Sequence, residues 1–336
     1  MNYTDNVKII EKIDQLDTSD IFQNENPDNY NLYEEFYQYF KNEVEINSAK
    51  YKISPIFFYI DNKRNCGASA SFYNGNYFIK ISSGYVKYMD LMLRKNIDIF
   101  QNEHLSNIYH SIKLEKNLNI QEFILESSLK FTFHHEFRHL HQCNGETFKF
   151  TENQSENKFS FERHLFEYDA DLIGAWFVMD FAFETYEKLN VKSKENLTSL
   201  MYLAISSIII TYLLFYFNRM ESQMIIHNPE KFYSEKNTHP HTIVRILSII
   251  EFYKDNIETN YNLNIETVDL LKRSLEIGNL YFEQLQLNSN LNLVMEFFNI
   301  WKENITEINE YVKKLDNGIK IHLTIKKIIT NYSKIQ

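Results

Sequence analysis

The sequence predicts a mainly α-helical α+β protein, and three observations predict it. Glycine and proline are scarce, at 7 and 4 of 336 residues, so long helices meet few breaks. From about residue 85 onward, apolar residues recur almost everywhere at helical spacing. Only between Pro55 and Ile81 does the period shorten to that of strands. No Ser/Gly-rich linker, repeat or composition shift marks a seam. The expected organisation is a helical lead-in at 1–50, a central domain at 51–256 and a helical extension at 257–336 packed on it.

Taken in order, residues 1–30 are polar and Asn/Asp-rich, which predicts a loosely packed start. Tyr33, Phe36, Tyr37, Phe40 and Val44 then define an amphipathic helix over 32–46. Ile56-Phe57-Phe58-Tyr59-Ile60 is a short strand. Residues 68–73 and 77–81 flank Asn74-Gly75-Asn76, a hairpin signal because glycine accepts positive φ. Residues 85–95 predict one helix, and 96–118 a loop with a short helix. A helix follows over 119–143, where neither Gly nor Pro intervenes, with Asn144-Gly145 as its stop. Beyond a polar segment at 145–160, helices are expected near 161–188, 196–220, 240–257, 264–285, 291–314 and 319–333. Residues 197–217 carry no charge over a length that could span a bilayer. Their scattered Ser, Thr and Tyr, and their place between motif-bearing helices, favour a buried core helix instead.

The chemistry concentrates in three places. His135-Glu136-Phe137-Arg138-His139 is an H-E-x-x-H pentad, and helical residues four apart stack one above the other. Two imidazoles there can grip one metal ion, with Glu136 beside its open side as a general base. On the next helix, Glu167 can supply a third ligand, completing the two-His, one-carboxylate set of a catalytic Zn2+. Asp171, one turn on, can accept the outer N–H of a ligating imidazole. His164 competes with Glu167 for the third position, while His134 and His141 point to other faces as surface or hydrogen-bonded filler. The third place is Thr238-His239-Pro240 leading to Arg245-Ile246. Pro240 is expected in the first helical turn, with His239 at the entrance. His239 and Arg245 can then stabilise an oxyanion, or simply cap and pack a helix.

Composition narrows the partners. A net charge of −10 without a basic stripe argues against nucleic acid. Cys66 and Cys143 lack disulfide-framework or C-x-x-C spacing, and the polar N-terminus lacks a signal-peptide core. Both features predict free thiols in a cytoplasmic protein, with inner-membrane association through 197–217 as the alternative.

In order, H-E-x-x-H at 135–139, Glu167-Tyr168-Asp169-Ala170-Asp171 and T-H-P at 238–240 through Arg245-Ile246 resemble the gluzincin zinc metallopeptidases. The pattern is similar to the CAAX-prenyl-protease and HtpX-like family, which reads H-E-x-x-H, E-x-x-A-D and T-H-P-x-x-x-x-R-I. The resemblance covers about residues 56–256. It implies a zincin-like fold, with Asn65–Ser71 and Asn76–Gly84 as the edge strand and hairpin upstream of the zinc helix. It also implies a zinc endopeptidase acting on a protein or peptide. Family members usually have several membrane spans, and this chain has one candidate at most. In that respect its layout resembles the Lit-type phage-exclusion proteases, which implies a host-defence or toxin protease as an alternative. A non-catalytic sensor with structural zinc is the other alternative, but it has no need of Glu136. Gln142 and Gly145 stand where a metzincin needs Gly and His.

Overall fold

The structure is a computed structural model and describes residues 1–13, 18–23, 30–73, 75–95, 98–143, 159–217, 230–285 and 293–322. It is mainly helical with one small sheet. In order, α1 (Tyr3–Ile10) and α2 (Tyr30–Tyr51) lead into β1 (Ile56–Asp61), β2 (Ala68–Tyr73) and β3 (Asn76–Ser82). The helices α3 (Ser83–Asp90), α4 (Glu103–Ile108), α5 (His110–Lys113), α6 (Ile120–Gln142), α7 (Phe161–Glu187) and α8 (Lys194–Phe217) follow. The described chain ends with α9 (Thr242–Tyr261), α10 (Thr267–Leu285) and α11 (Leu293–Ile321).

The sheet has the order β1-β3-β2, with β1 parallel and β2 antiparallel to the central strand. Tyr73 pairs with Asn76, so β2 and β3 form the expected hairpin, and Gly75 takes φ +80° in its turn. Asn74 lies outside the described residues, as do the Asn144-Gly145 stop and most of the 145–160 segment. The free edge of β1 is covered: Phe22 N–H donates to Ile60 C=O at 2.9 Å and Asn62 N–H to Asp20 C=O at 2.8 Å. Among the described residues, no strand pairs with the outer edge of β2.

Helix α6 starts at Asn119, whose side chain accepts from the N–H groups of Gln121 and Glu122. It is buried on nearly every side, with β2 against it and α7 and α8 alongside. Close approach to α7 is possible at Gly174, where a Cβ would stand 2.9 Å from the Phe131 ring. Helix α8 is apolar all round because it is buried all round, the alternative to a lipid environment for such a sequence. Several of its hydroxyls are satisfied within the protein. Ser206 and Thr211 donate to the carbonyls of Tyr202 and Ser207, four residues back, at 2.6 and 2.9 Å.

Several sequence expectations are corrected. The start of the chain is not loosely packed throughout: α1 buries Tyr3, Val7 and Ile10, and Tyr3 Oη donates to Phe22 C=O at 2.8 Å. Residues 85–95 are not one helix; α3 ends at Asp90 and a π-helical turn carries 91–95. The break expected between 314 and 319 is absent; α11 runs through it, with its one non-helical residue at Asn304. Pro240 is not in the first helical turn. His241 is the N-cap of α9, its ring accepting from Ile243 N–H, so Pro240 stays outside. One continuous core runs from Tyr3 to Leu315, and it includes residues of α10 and α11.

Candidate metal centre

His135 and His139 lie on one face of α6 and Glu167 faces them from α7, their ligand atoms all within 4.8 Å of one another. The two Nε2 atoms are 3.2 Å apart. Glu167 Oε2 is 3.4 Å from Nε2 of His135, and Oε1 is 3.4 Å from Nε2 of His139. A tetrahedral ion with ligand bonds of ~2.0–2.1 Å has edges of about 3.3–3.4 Å, so these separations fit one ion at the centre.

The outer partners make the fit chemical as well as geometric. Asp171 Oδ1 stands 2.9 Å from Nδ1 of His135, and Gln142 Oε1 stands 2.7 Å from Nδ1 of His139. The Gln142 acceptor keeps the proton of His139 on Nδ1 and leaves a lone pair on its Nε2, while the Asp171 carboxylate lies beside Nδ1 of His135 as a charge partner. With both imidazoles deprotonated on Nε2, two nitrogen donors and a carboxylate converge on one point, a set that could hold a metal ion. Glu167 Oε2 is buried and accepts no hydrogen bond.

The electrostatics agree. Burial alone would lift the Glu167 carboxyl, but His239, His139 and His135 hold it well below the usual range. Burial disfavours charge on His135 too, yet the Asp171 and Glu167 carboxylates raise it to about 10. His139, whose burial is opposed less, is pushed down to about 4. The Glu167 carboxylate is thus charged and surrounded by groups that favour its charged form.

Behind each ligand stands a second ion pair. Arg245 donates through Nε and Nη2 to Asp171, at 2.7 and 2.6 Å, and its Nη2 is 3.3 Å from Glu167 Oε2. Its guanidinium also covers the Tyr212 ring, 4.7 Å from the centroid. On the other side, Gln142 Nε2 donates to Phe166 C=O at 3.0 Å and to Asp169 Oδ2 at 2.9 Å. Asp169 in turn receives Arg138 through Nε and Nη2, at 2.7 and 3.0 Å. The chain Arg138–Asp169–Gln142–His139 was missed in the sequence. Its available signal was spacing: Gln142 is three residues after His139, and Arg138 occupies a free position of the pentad.

The remaining expected residues are placed as follows. Glu136 is buried and lines a cleft of about 520 Å³ that also exposes His135, His139 and Glu167. His239 borders that cleft, 40% exposed, with Nε2 3.2 Å from Glu167 Oε1 and Nδ1 2.9 Å from Thr238 Oγ1. Arg245 is committed to two carboxylates, which makes holding Asp171 and Glu167 its first role. His164 is drawn away from the centre, its Nδ1 2.8 Å from Tyr311 Oη and its Nε2 3.3 Å from Asn237 C=O. His134 is not on the surface; it is 3% exposed and stacks on Phe177 at 3.5 Å. The start of β2, through Ala68, Ser69 and Ala70 with Gly67 just before it, forms one wall of the cleft. No family model, curated protein or solved structure matches the chain, so the function rests on this geometry alone.

Proposed function

We propose that the protein is a zinc-dependent endopeptidase of zincin-like build, as the gluzincin-type motifs imply. The observation that carries the reading is the triangle of potential ligand atoms on His135, His139 and Glu167, open to a cleft that Glu136 also lines. Two imidazoles and one carboxylate are the ligand set of a catalytic Zn2+ with a position left for water. Zinc held there polarises a carbonyl and brings the pKa of water to about 7.

The chain's own residues supply the rest. Glu136 takes the proton from the attacking water and passes it to the leaving amine. His239, at the cleft wall, donates to the developing oxyanion. Asp171 and Gln142 fix the two ligand rings, and Arg245 holds both carboxylates beside it. The substrate lies extended along β2. Antiparallel pairing turns alternate residues of an edge strand outward, so their N–H and C=O groups are free to pair with a peptide.

The test is metal content with cleavage. Purified protein should carry one zinc per chain and cut unfolded protein substrates, and Glu136→Gln should retain the metal without cutting. A protein that binds no zinc, or whose zinc-loaded form cuts nothing across a whole proteome, would contradict the proposal.

A further inference from the structure

Arg163 is the most anomalous charge in the cleft. It lies in the first turn of α7, where Ser160 Oγ accepts its backbone N–H at 3.4 Å. It is half-buried and lines the cleft, one helical turn before Glu167 on the same face. Among the described residues, no carboxylate or other side chain pairs with its guanidinium. The other basic groups nearby differ. Lys80 is 3.3 Å from Asp61, and Arg245 is held by Asp171 and Glu167.

Stability does not account for this placement. A cation in the first turn of a helix opposes the positive end of the macrodipole. Partial burial without a partner costs further solvation. On a chain of net charge −10, acidic partners are plentiful, yet none is used here. Lys63, exposed on the cleft wall, likewise pairs with no carboxylate among the described residues. Its backbone is fixed where its carbonyl accepts from Gly84 N–H at 3.0 Å. Asp61, Glu136, Glu167 and Glu230 also line the cleft, but among the described residues none of them pairs with Arg163, which stays available to a ligand.

We propose that Arg163 binds a carboxylate of the substrate, so that the cleft selects peptides carrying an acidic group near the scissile bond. A guanidinium matches a carboxylate through two parallel N–H donors, which a neutral amide cannot replace. One helical turn plus the reach of the arginine corresponds to about two or three residues of extended peptide at ~3.3 Å each. The carboxylate can be an Asp or Glu side chain or a free C-terminus. The proposal rests on the endopeptidase reading for its substrate but not for its binding step, because Arg163 can hold a carboxylate without turnover.

The experiment uses N-acetylated hexapeptide mixtures with one position fixed as Glu or as Gln, scanned along the peptide, each with a free or amidated C-terminus. Binding is measured on full-length protein, metal-free and zinc-loaded, in the Glu136→Gln background; cleavage is measured on the zinc-loaded wild type. The expected result is binding about tenfold or more tighter for the acidic member at one position. Arg163→Gln should abolish that preference, and Arg163→Glu should turn it toward Lys at the same position. Preference at a Glu position, kept in the amidated peptides, assigns a side-chain carboxylate. Preference that disappears on amidation assigns the terminus. Equal binding of acidic and neutral mixtures, or a preference that survives in folded Arg163→Gln, overturns the proposal. Cleavage without acidic preference sinks this inference and leaves the peptidase reading standing. Arg163-dependent binding without cleavage does the reverse.

Discussion

Gln142 holds His139 through a 2.7 Å contact between its Oε1 and the ring Nδ1, and the same amide donates to Asp169 at 2.9 Å. An amide suits both neighbours, since it accepts from the imidazole on one side and donates to a carboxylate on the other. Gln142→Glu would place two carboxylates in contact. Both Gln142→Glu and Gln142→Leu should lower zinc affinity by ~10–100-fold, the usual cost of losing an outer partner. Competition against a chromogenic chelator measures this. Unchanged affinity in both variants would show that Gln142 does not orient the ring.

Arg138 and Asp169 form a pair with no exposure at the arginine, tying α6 to α7 directly behind the ligands. Arg138→Met should cost ~3–5 kcal/mol, because it leaves a buried carboxylate without its cation. Arg138→Met with Asp169→Leu should recover much of that loss. Denaturant unfolding of the single and double variants measures both. A single variant near wild-type stability would mean that Asp169 finds water or another donor.

Arg245 and His239 should separate. Arg245→Ala strips Asp171 and Glu167 of their shared cation, so both stability and zinc affinity should fall. His239 is 40% exposed and forms part of no buried pair with Arg. His239→Ala should leave melting and zinc content near wild type while lowering turnover by ~10²-fold or more. Melting, metal content and turnover measured on the two variants decide the matter. Equal loss of stability in both would make the T-H-P segment scaffold only.

His164 gives a pH signature away from the ligands. Burial pushes its pKa down to about 4, assisted by the nearby His239 and Arg245 and opposed by the Asn237 carbonyl. Above pH ~6.5 the ring is neutral in both folded and unfolded chains and contributes no slope. Between ~6.5 and 4 the unfolded chain takes up a proton that the folded chain refuses. Stability attributable to His164 therefore declines with acidification, by up to about 3 kcal/mol. His164→Gln, which keeps polar contacts without titrating, should flatten the unfolding free energy across that window. Parallel pH profiles for the two proteins would exclude the effect.

Much of this architecture was legible because local and tertiary demands agree. The α6 and α7 helices have side-chain caps at Asn119 and Ser160, and the β2–β3 turn has its glycine. The approach of His135 and His139 was legible because residues four apart on a helix stack on one face, and Glu167 meets them from the next helix. What stayed hidden depends on distant partners. Tyr3 looked like part of a polar start, but its hydroxyl reaches Phe22 and Ile60 carbonyls beside β1. Arg138 looked like a free position until Asp169 was brought to it from the next helix. Pro240 resembled a first-turn proline because the cap belongs to His241, and a histidine cap has a weak sequence signal.

The most direct test of the account is a proteome-wide search for new peptide termini, with zinc-loaded wild type against zinc-loaded Glu136→Gln. The amide cannot act as a base, so the variant should lose ~10²–10⁴-fold in cutting while keeping its metal. The account predicts discrete new termini with wild type and none above background with Glu136→Gln. The same termini at similar rates from both proteins, or none from a wild type shown to hold one zinc per chain, would contradict it.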